Sequence, residues 1–139
     1  MSISPTRLRR YHHKVYFPAW ENLGSMVVEF FSGLKKVDIT HHAATQLLED
    51  KRGIIPLPSK QELMHPTNTL VEFYELLDRD GKSTGTIQKA LIRIHNLSEK
   101  FDYSYIIARD SFLISAWAND KNDDHRLDRS KNVYFKPKE

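Results

Sequence analysis

The sequence predicts an α+β protein in which N-terminal helices pack on a four-stranded antiparallel β-meander. Apolar residues recur at helical spacing before residue 52, whereas residues 70–119 are rich in β-branched and aromatic residues. The connections between the four strand-like runs are short, and parallel neighbours would need a crossover of about a dozen residues. Helices followed by strands are typical of the α+β class.

Length and composition indicate a single domain over residues 1–139. The chain has no cysteine, which excludes disulfides, thiol nucleophiles and cysteine-based zinc sites and fits a cytoplasmic location. We expect no membrane span and no secretory signal, since the apolar stretches fall far short of the ~20 residues that a span needs. The net charge of +3 permits a polyanionic partner without requiring one.

Residues 1–18 are predicted to be a basic arm. Pro5 and Pro18 disfavour a helix across this segment. An arm of this kind is expected to be flexible unless it docks, and its charge allows it to lie along phosphates. Its first fourteen residues contain no acidic group and carry four cations: Arg7, Arg9, Arg10 and Lys14.

Residues 20–65 are predicted to be helical. A first helix is expected over 21–36 because four apolar residues share one face: Val27, Phe30, Phe31 and Leu34. A second is expected over 40–52, with Thr40 as its N-cap and Gly53 at its end. The spacing of Ser59 and Glu62 is that of a capping box and predicts a short helical turn.

The predicted sheet occupies residues 70–119, and residues 120–139 are expected to form a polar tail. Pairing the first two strands about the 79–85 turn places Glu75 opposite Lys89 and Phe73 opposite Leu91. In this register one face combines basic and aromatic residues: Lys89, Arg93, His95, Tyr103 and Tyr105. The other face is the more apolar one and is expected to lie under the helices: Ala90, Ile92, Ile94, Ile106, Ala108 and Trp117.

The mixed face has two interpretations. Cations and aromatic rings on one sheet face can hold a phosphate and stack a base, which points to nucleic acid. The same residues also fit an ordinary solvated face stabilised by a cross-strand pair between Glu75 and Lys89.

Histidines are the second candidate feature, because the pKa of imidazole suits acid–base catalysis near neutral pH. His42 begins a predicted helix, and His95 ends the second predicted strand. His125 lies among acidic residues that would raise its pKa and suit it as a general acid. Each also fits an ordinary surface histidine. Neighbouring His41 and His42 diverge on a helix and cannot chelate a metal together, so no metal site is predicted.

Two stretches resemble the barnase/RelE-type superfamily of small toxin ribonucleases, over roughly residues 38–126. Thr40-His41-His42-Ala43 with Arg52-Gly53-Ile54 is similar to a helix of such proteins, and Ile114-Ser115-Ala116-Trp117 running into Asp120-Lys121-Asn122-Asp123 is similar to their last strand and tail. The resemblance implies RNA cleavage through the 2′-hydroxyl, without metal or cofactor. It assigns a base (His42 or His95), an acid (His125) and a phosphate clamp (Arg93 and Lys89). Further RNA contacts are expected from other candidates: Arg52, Tyr103, Tyr105 and Arg126.

The leading hypothesis is therefore an RNA-directed protein, a small metal-independent endoribonuclease of toxin type that acts on RNA rather than DNA. The alternative is a non-enzymatic interaction or inhibitor protein, of phage or mobile-element type, that binds a host protein or nucleic acid. A third hypothesis is a structural subunit of a larger particle. The sequence lacks a P-loop, a dinucleotide glycine motif, G-x-S-x-G and H-E-x-x-H, which argues against several other enzyme classes.

Overall fold

The computed structural model describes residues 7–17, 24–50, 54–96 and 100–123. Strands take up 47% of these residues and helices 20%. The strands are β1 (Arg7–Tyr16), β2 (Asp38–Ile39), β3 (Thr69–Leu77), β4 (Ser83–Ile94), β5 (Phe101–Ala108) and β6 (Phe112–Asp120). The helices are α1 (Ser25–Ser32), α2 (His41–Glu49) and α3 (Lys60–Leu63). No helix in these ranges is long and apolar enough to cross a membrane.

The predicted fold class is wrong, because the described residues form a mixed sheet of six strands with three short helices. The strand order is β1-β3-β4-β5-β6-β2. β3 to β6 are antiparallel neighbours, but β1 pairs with β3 beyond them and β2 pairs with β6 in parallel. The protein is therefore mostly sheet, and does not consist of N-terminal helices on a four-stranded meander.

β1 comes from the segment that was expected to be an arm. It docks because its alternating side chains find partners on β3. Tyr11 is buried and its ring stacks on that of Phe73, with centroids 4.9 Å apart. Two arginines of β1 form ion pairs of 3.1 Å with carboxylates of β3: Arg9 with Glu75 and Arg10 with Glu72. The cations that suggested phosphate binding thus also serve strand pairing.

The starts of α2 and α3 follow the local sequence signals, whereas α1 ends at Ser32 and α2 at Glu49, before the predicted ends at residues 36 and 52. The hydroxyl of Thr40 accepts a hydrogen bond from the backbone N–H of Ala43 at the start of α2. Ser59 and Glu62 form a complete capping box at the start of α3. Gly33 is the C-cap residue of α1. These signals act within one turn of helix, so the sequence alone is enough to place them.

The predicted register of the sheet is wrong by one residue. Lys89 lies opposite Tyr74, and a bulge between Tyr74 and Glu75 then leaves Glu75 opposite Ile87. Because side chains alternate between faces, this shift puts Glu75 and Lys89, which were expected to face each other, on opposite faces of the sheet. The face under the helices holds the core, with fully buried side chains that include Phe73, Ile92, Tyr105, Ile107 and Leu113. The opposite face, called the back face below, carries Arg10, Glu72, Tyr74, Lys89, Arg93 and Ser104.

α2 is attached along β6 by its own side chains. The side-chain oxygen of Gln46 accepts hydrogen bonds from the backbone N–H of Ala116, at 2.9 Å, and from the hydroxyl of Ser115, at 2.8 Å. One turn later, the carboxylate of Asp50 accepts from the backbone N–H of Ala118 at 3.1 Å. β2 pairs with Phe112 and Leu113 of β6. Gln46 and Asp50 bind N–H groups that lie further along β6, beyond the end of β2.

Candidate functional site

A buried carboxylate gathers three basic side chains where β4 ends and β5 begins. Asp102 lies 2.9 Å from Nε of Arg93, 3.0 Å from Nδ1 of His95 and 2.6 Å from Nζ of Lys121. It also accepts a hydrogen bond of 3.0 Å from the backbone N–H of Asn96. We call Arg93, His95, Asp102 and Lys121 the Asp102 cluster. Its carboxylate is only 3% exposed, so it depends on these donors for the hydrogen bonds that water would otherwise supply.

Strand alternation assembles this cluster. Arg93 pairs with Ser104 across β4 and β5. His95 lies two residues after Arg93, and Asp102 lies two residues before Ser104. Period-2 alternation therefore projects all three side chains to the back face at the same end of the sheet.

The donors around Asp102 keep its carboxylate charged. Burial alone would raise the pKa of Asp102. Hydrogen bonds from Lys121, the Asn96 backbone, Arg93 and His95 outweigh the effect of burial and lower the pKa to about 2. Asp102 is therefore an anion at neutral pH and accepts a hydrogen bond from the Nδ1–H group of His95.

His95 is held on both sides of its ring. Its Nε2 lies 2.7 Å from the hydroxyl of Thr69, and its Nδ1 faces Asp102. The order of hydroxyl, imidazole and carboxylate is that of a nucleophile with its base and orienting group. Thr69, however, is only 2% exposed, whereas the His95 side chain is 23% exposed. A substrate can therefore reach the imidazole, and Thr69 acts as an orienting partner.

His95 opens onto a cavity of about 480 Å³ between the end of the sheet and the segment before β3. The lining combines proline and aromatic rings with three polar side chains: Pro56, Tyr103, Tyr105, Glu62, His95 and Asn96. The hydroxyl of Tyr105 donates a hydrogen bond of 2.7 Å to the carbonyl of Pro56, which ties this segment to the sheet. The size and the mixed lining are typical of small-molecule or single-base sites.

Arg93 is committed to structural contacts. Its guanidinium is 5% exposed and, besides Asp102, donates to the backbone carbonyls of Asp120, at 3.0 Å, and of Asp123. These bonds hold the turn that follows β6. A phosphate clamp at Arg93 would have to displace them, so Lys121, which is 39% exposed, is the more accessible cation of the cluster.

The structure brings some of the predicted site residues together and separates others. Lys89 and His95 both lie on the back face, about 20 Å apart along β4. Tyr103 and Tyr105 lie on the opposite side, where they line the cavity instead of the back face.

The predicted histidines do not meet within the described residues. His42 is exposed at the start of α2, two residues after Thr40, whose hydroxyl donates to the carbonyl of Leu113. Leu113 pairs with Ile107, five residues and about 17 Å along β5 from Asp102. His125, Arg52 and Arg126 lie outside the described residues.

Three residues of the site escaped the sequence analysis: Thr69, Asp102 and Lys121. The third predicted strand begins at Tyr103 and leaves Asp102 outside it, so the alternation of Asp102 with Ser104 is missed. A third strand that starts at residue 101 would have placed a carboxylate beside His95. Thr69 and Lys121 join only through long-range pairing, and no local pattern marks them.

Within the described residues, no group of three or more acidic or histidine side chains is arranged to hold a metal ion. Comparisons of this chain with protein-family models, with curated proteins and with solved structures return no match. The resemblance to the barnase/RelE-type superfamily therefore stays a prediction that rests on its short motifs.

Proposed function

We propose that this protein acts on RNA in the cytoplasm, as an endoribonuclease in which His95 is the acid–base group. One observation carries the proposal: His95, oriented by the ionised Asp102, lines a cavity together with Tyr103 and Tyr105. An imidazole held by a carboxylate next to aromatic walls combines proton transfer with a place for a base.

Each part of the site has a role in this proposal. An unstacked base enters the cavity and lies against the tyrosine and proline rings, as single-stranded RNA does on aromatic side chains. The attached ribose then lies beside His95. Lys121 contributes positive charge near the phosphate.

The reaction needs one base and one acid. His95 takes the proton of the 2′-hydroxyl, whose oxygen attacks phosphorus while the bond from phosphorus to the 5′-oxygen breaks. The leaving oxygen takes a proton from the acid, for which His125 remains the candidate. His125 follows two residues after Asp123, whose carbonyl is bound by Arg93. Glu62 is a second titratable group of the cavity. The products are a 2′,3′-cyclic phosphate and a 5′-hydroxyl.

A binding protein without catalysis is the second candidate function. One observation favours it: both ring nitrogens of His95 already have partners, Thr69 and Asp102, so proton transfer to RNA requires His95 to exchange Thr69 for substrate. In this reading the protein is an interaction or inhibitor protein, of phage or mobile-element type, that holds RNA or a host protein.

The test is incubation of the purified protein with total RNA in the presence of EDTA. We expect cleavage to products that end in 2′,3′-cyclic phosphate, and a loss of at least about 100-fold in His95→Ala. His65→Ala is the matched control, because His65 is exposed and its ring bonds locally to Thr67. Intact RNA with the wild-type protein, together with salt-dependent RNA binding, would establish the second candidate instead.

A further inference from the structure

Three side chains form a row across the back face, one from each of β1, β3 and β4. Arg10 pairs with Tyr74, and Tyr74 pairs with Lys89. The Nζ atom of Lys89 lies 4.7 Å from the centre of the Tyr74 ring. Arg10 is 52% exposed, and both Tyr74 and Lys89 are half-buried. A partly exposed aromatic ring therefore has a cation on each side.

Glu72 holds this row in place without cancelling its charge. Its carboxylate lies 3.1 Å from Nε of Arg10 and accepts a hydrogen bond of 3.3 Å from the hydroxyl of Tyr74. This largely buried carboxylate pairs with Arg10, and Lys89 adds a second cation, so the row keeps a net positive charge. A ring between cations suits a stacked base with phosphates on either side.

β1 connects this row with the cavity at His95. Arg10 and Tyr16 lie six residues apart on β1, which corresponds to about 20 Å. Tyr16 is 50% exposed, and its ring lies 5.5 Å from that of His95. The same strand therefore carries an exposed aromatic ring next to the site and a cation of the row.

We propose that Arg10, Tyr74 and Lys89 form a second contact for single-stranded RNA, several nucleotides away from the phosphate at His95. The inference rests on the proposed function, since it concerns the same RNA strand. One base stacks on Tyr74 in the place of the Lys89 ammonium, which moves from the ring to pair with an adjacent phosphate, and Arg10 pairs with another. It favours long substrates over short ones without reading their sequence.

The test compares an eight-nucleotide RNA with a dinucleotide. Both carry 2′-O-methyl groups, which remove the nucleophile so that binding is measured without cleavage. The variants are Tyr74→Leu, Tyr74→Phe and Lys89→Gln. The matched control is Lys36→Gln, an exposed lysine in the segment after α1. Thermal unfolding of each variant checks that the fold is retained.

We expect Tyr74→Leu to weaken binding of the octamer by about tenfold and Tyr74→Phe to preserve it, because the ring supplies the stacking. Lys89→Gln should reduce the slope of log affinity against log salt by about 0.7 for the octamer, as expected for one phosphate contact. Lys36→Gln should change neither quantity. Dinucleotide binding should be the same in all variants.

The outcomes separate this inference from the proposed function. Octamer binding that depends on His95 but is unchanged in folded Tyr74→Leu and Lys89→Gln would overturn the second contact alone. Equal losses of affinity for the octamer and the dinucleotide would also overturn it, since the substitutions would then weaken binding by disturbing the fold and not by removing a contact to the longer RNA. A wild-type protein that binds neither RNA would overturn the inference together with the proposed function.

Discussion

The Nε atom of Arg93 lies 2.9 Å from Oδ2 of Asp102, and each of the two side chains is at least 95% buried. The guanidinium also holds the turn after β6 through backbone carbonyls. Removing one partner of a buried ion pair leaves the other charge in a place that water does not reach. This pair therefore links the stability of the sheet to the position of His95, which bonds to the same carboxylate oxygen.

Asp102→Asn is expected to destabilise the protein by about 3 kcal/mol, because Arg93 and Lys121 lose their shared anion. Urea unfolding measures the change in the free energy of unfolding. Asp80→Asn is the control, since Asp80 lies exposed in the turn between β3 and β4, and it should cost less than about 0.5 kcal/mol. Equal stabilities of the two variants would contradict the role given to Asp102.

The free energy of unfolding should fall as pH drops from about 4 to 2. The pKa of Asp102 is about 2 in the folded state and lies near 3.8 without the fold. The folded state thus favours the ionised carboxylate. This preference stabilises the protein by about 2 kcal/mol above pH 4, and the stabilisation is lost as the carboxylate protonates.

Glu75 adds to this loss in the same direction. Burial opposes ionisation of Glu75, but hydrogen bonds from Ser83, Tyr11 and Arg9 lower its pKa. Denaturant unfolding at several pH values measures the combined effect. Asp102→Asn should show a flatter profile between pH 4 and 2. A variant profile as steep as that of the wild type would show that Asp102 is not responsible.

Gln46→Ala should destabilise the protein by about 1–2 kcal/mol. The backbone N–H of Ala116 and the hydroxyl of Ser115 lose the acceptor that α2 supplies to β6. Gln46→Glu keeps an acceptor oxygen at this position and should retain most of the stability. Gln61→Ala, at an exposed position of α3, serves as the control in the same urea titration. An effect of Gln46→Ala no larger than that of Gln61→Ala would rule out this anchoring role.

Tyr105→Phe should loosen the wall of the cavity and leave the core packing intact. The substitution removes the hydrogen bond to the carbonyl of Pro56 and should cost about 1 kcal/mol. Hydrogen exchange at Ile55 reports on the segment, because the N–H of Ile55 bonds to the carbonyl of Leu47. We expect faster exchange there in Tyr105→Phe than in Tyr103→Phe. Unchanged protection would mean that other contacts hold the segment.

The parts of the fold that the sequence predicted are those encoded within a few residues. The N-cap at Thr40 and the capping box at Ser59 and Glu62 depend on hydrogen bonds across three residues. The strand character of β3 to β6 follows from alternating β-branched and aromatic residues. For the same reason Lys89, Arg93 and His95 could be placed on one face of β4 before any pairing was known.

The sequence did not predict the pairing partners. The hydrogen bond between Arg9 and Glu75 joins residues 66 positions apart, and it belongs to the pairing with β3 that makes the predicted basic arm a strand. The one-residue register shift places Tyr74, instead of Glu75, opposite Lys89 and leaves Glu75 on the helix side of the sheet. Neither event has a local signature, because each depends on which distant strand supplies a complementary row of side chains.

By itself, the sequence determined where α2 and α3 begin, that the segments of β3 to β6 favour strands and which side chains of one strand share a face. Tertiary structure decided that Asp102 joins His95, that Arg93 is occupied by backbone carbonyls and that Tyr103 and Tyr105 line a cavity. The physical reason is the distance along the chain over which each interaction acts. Caps and alternation act between neighbours in the chain, whereas ion pairing, register and cavities arise only when distant strands have buried their surfaces against one another.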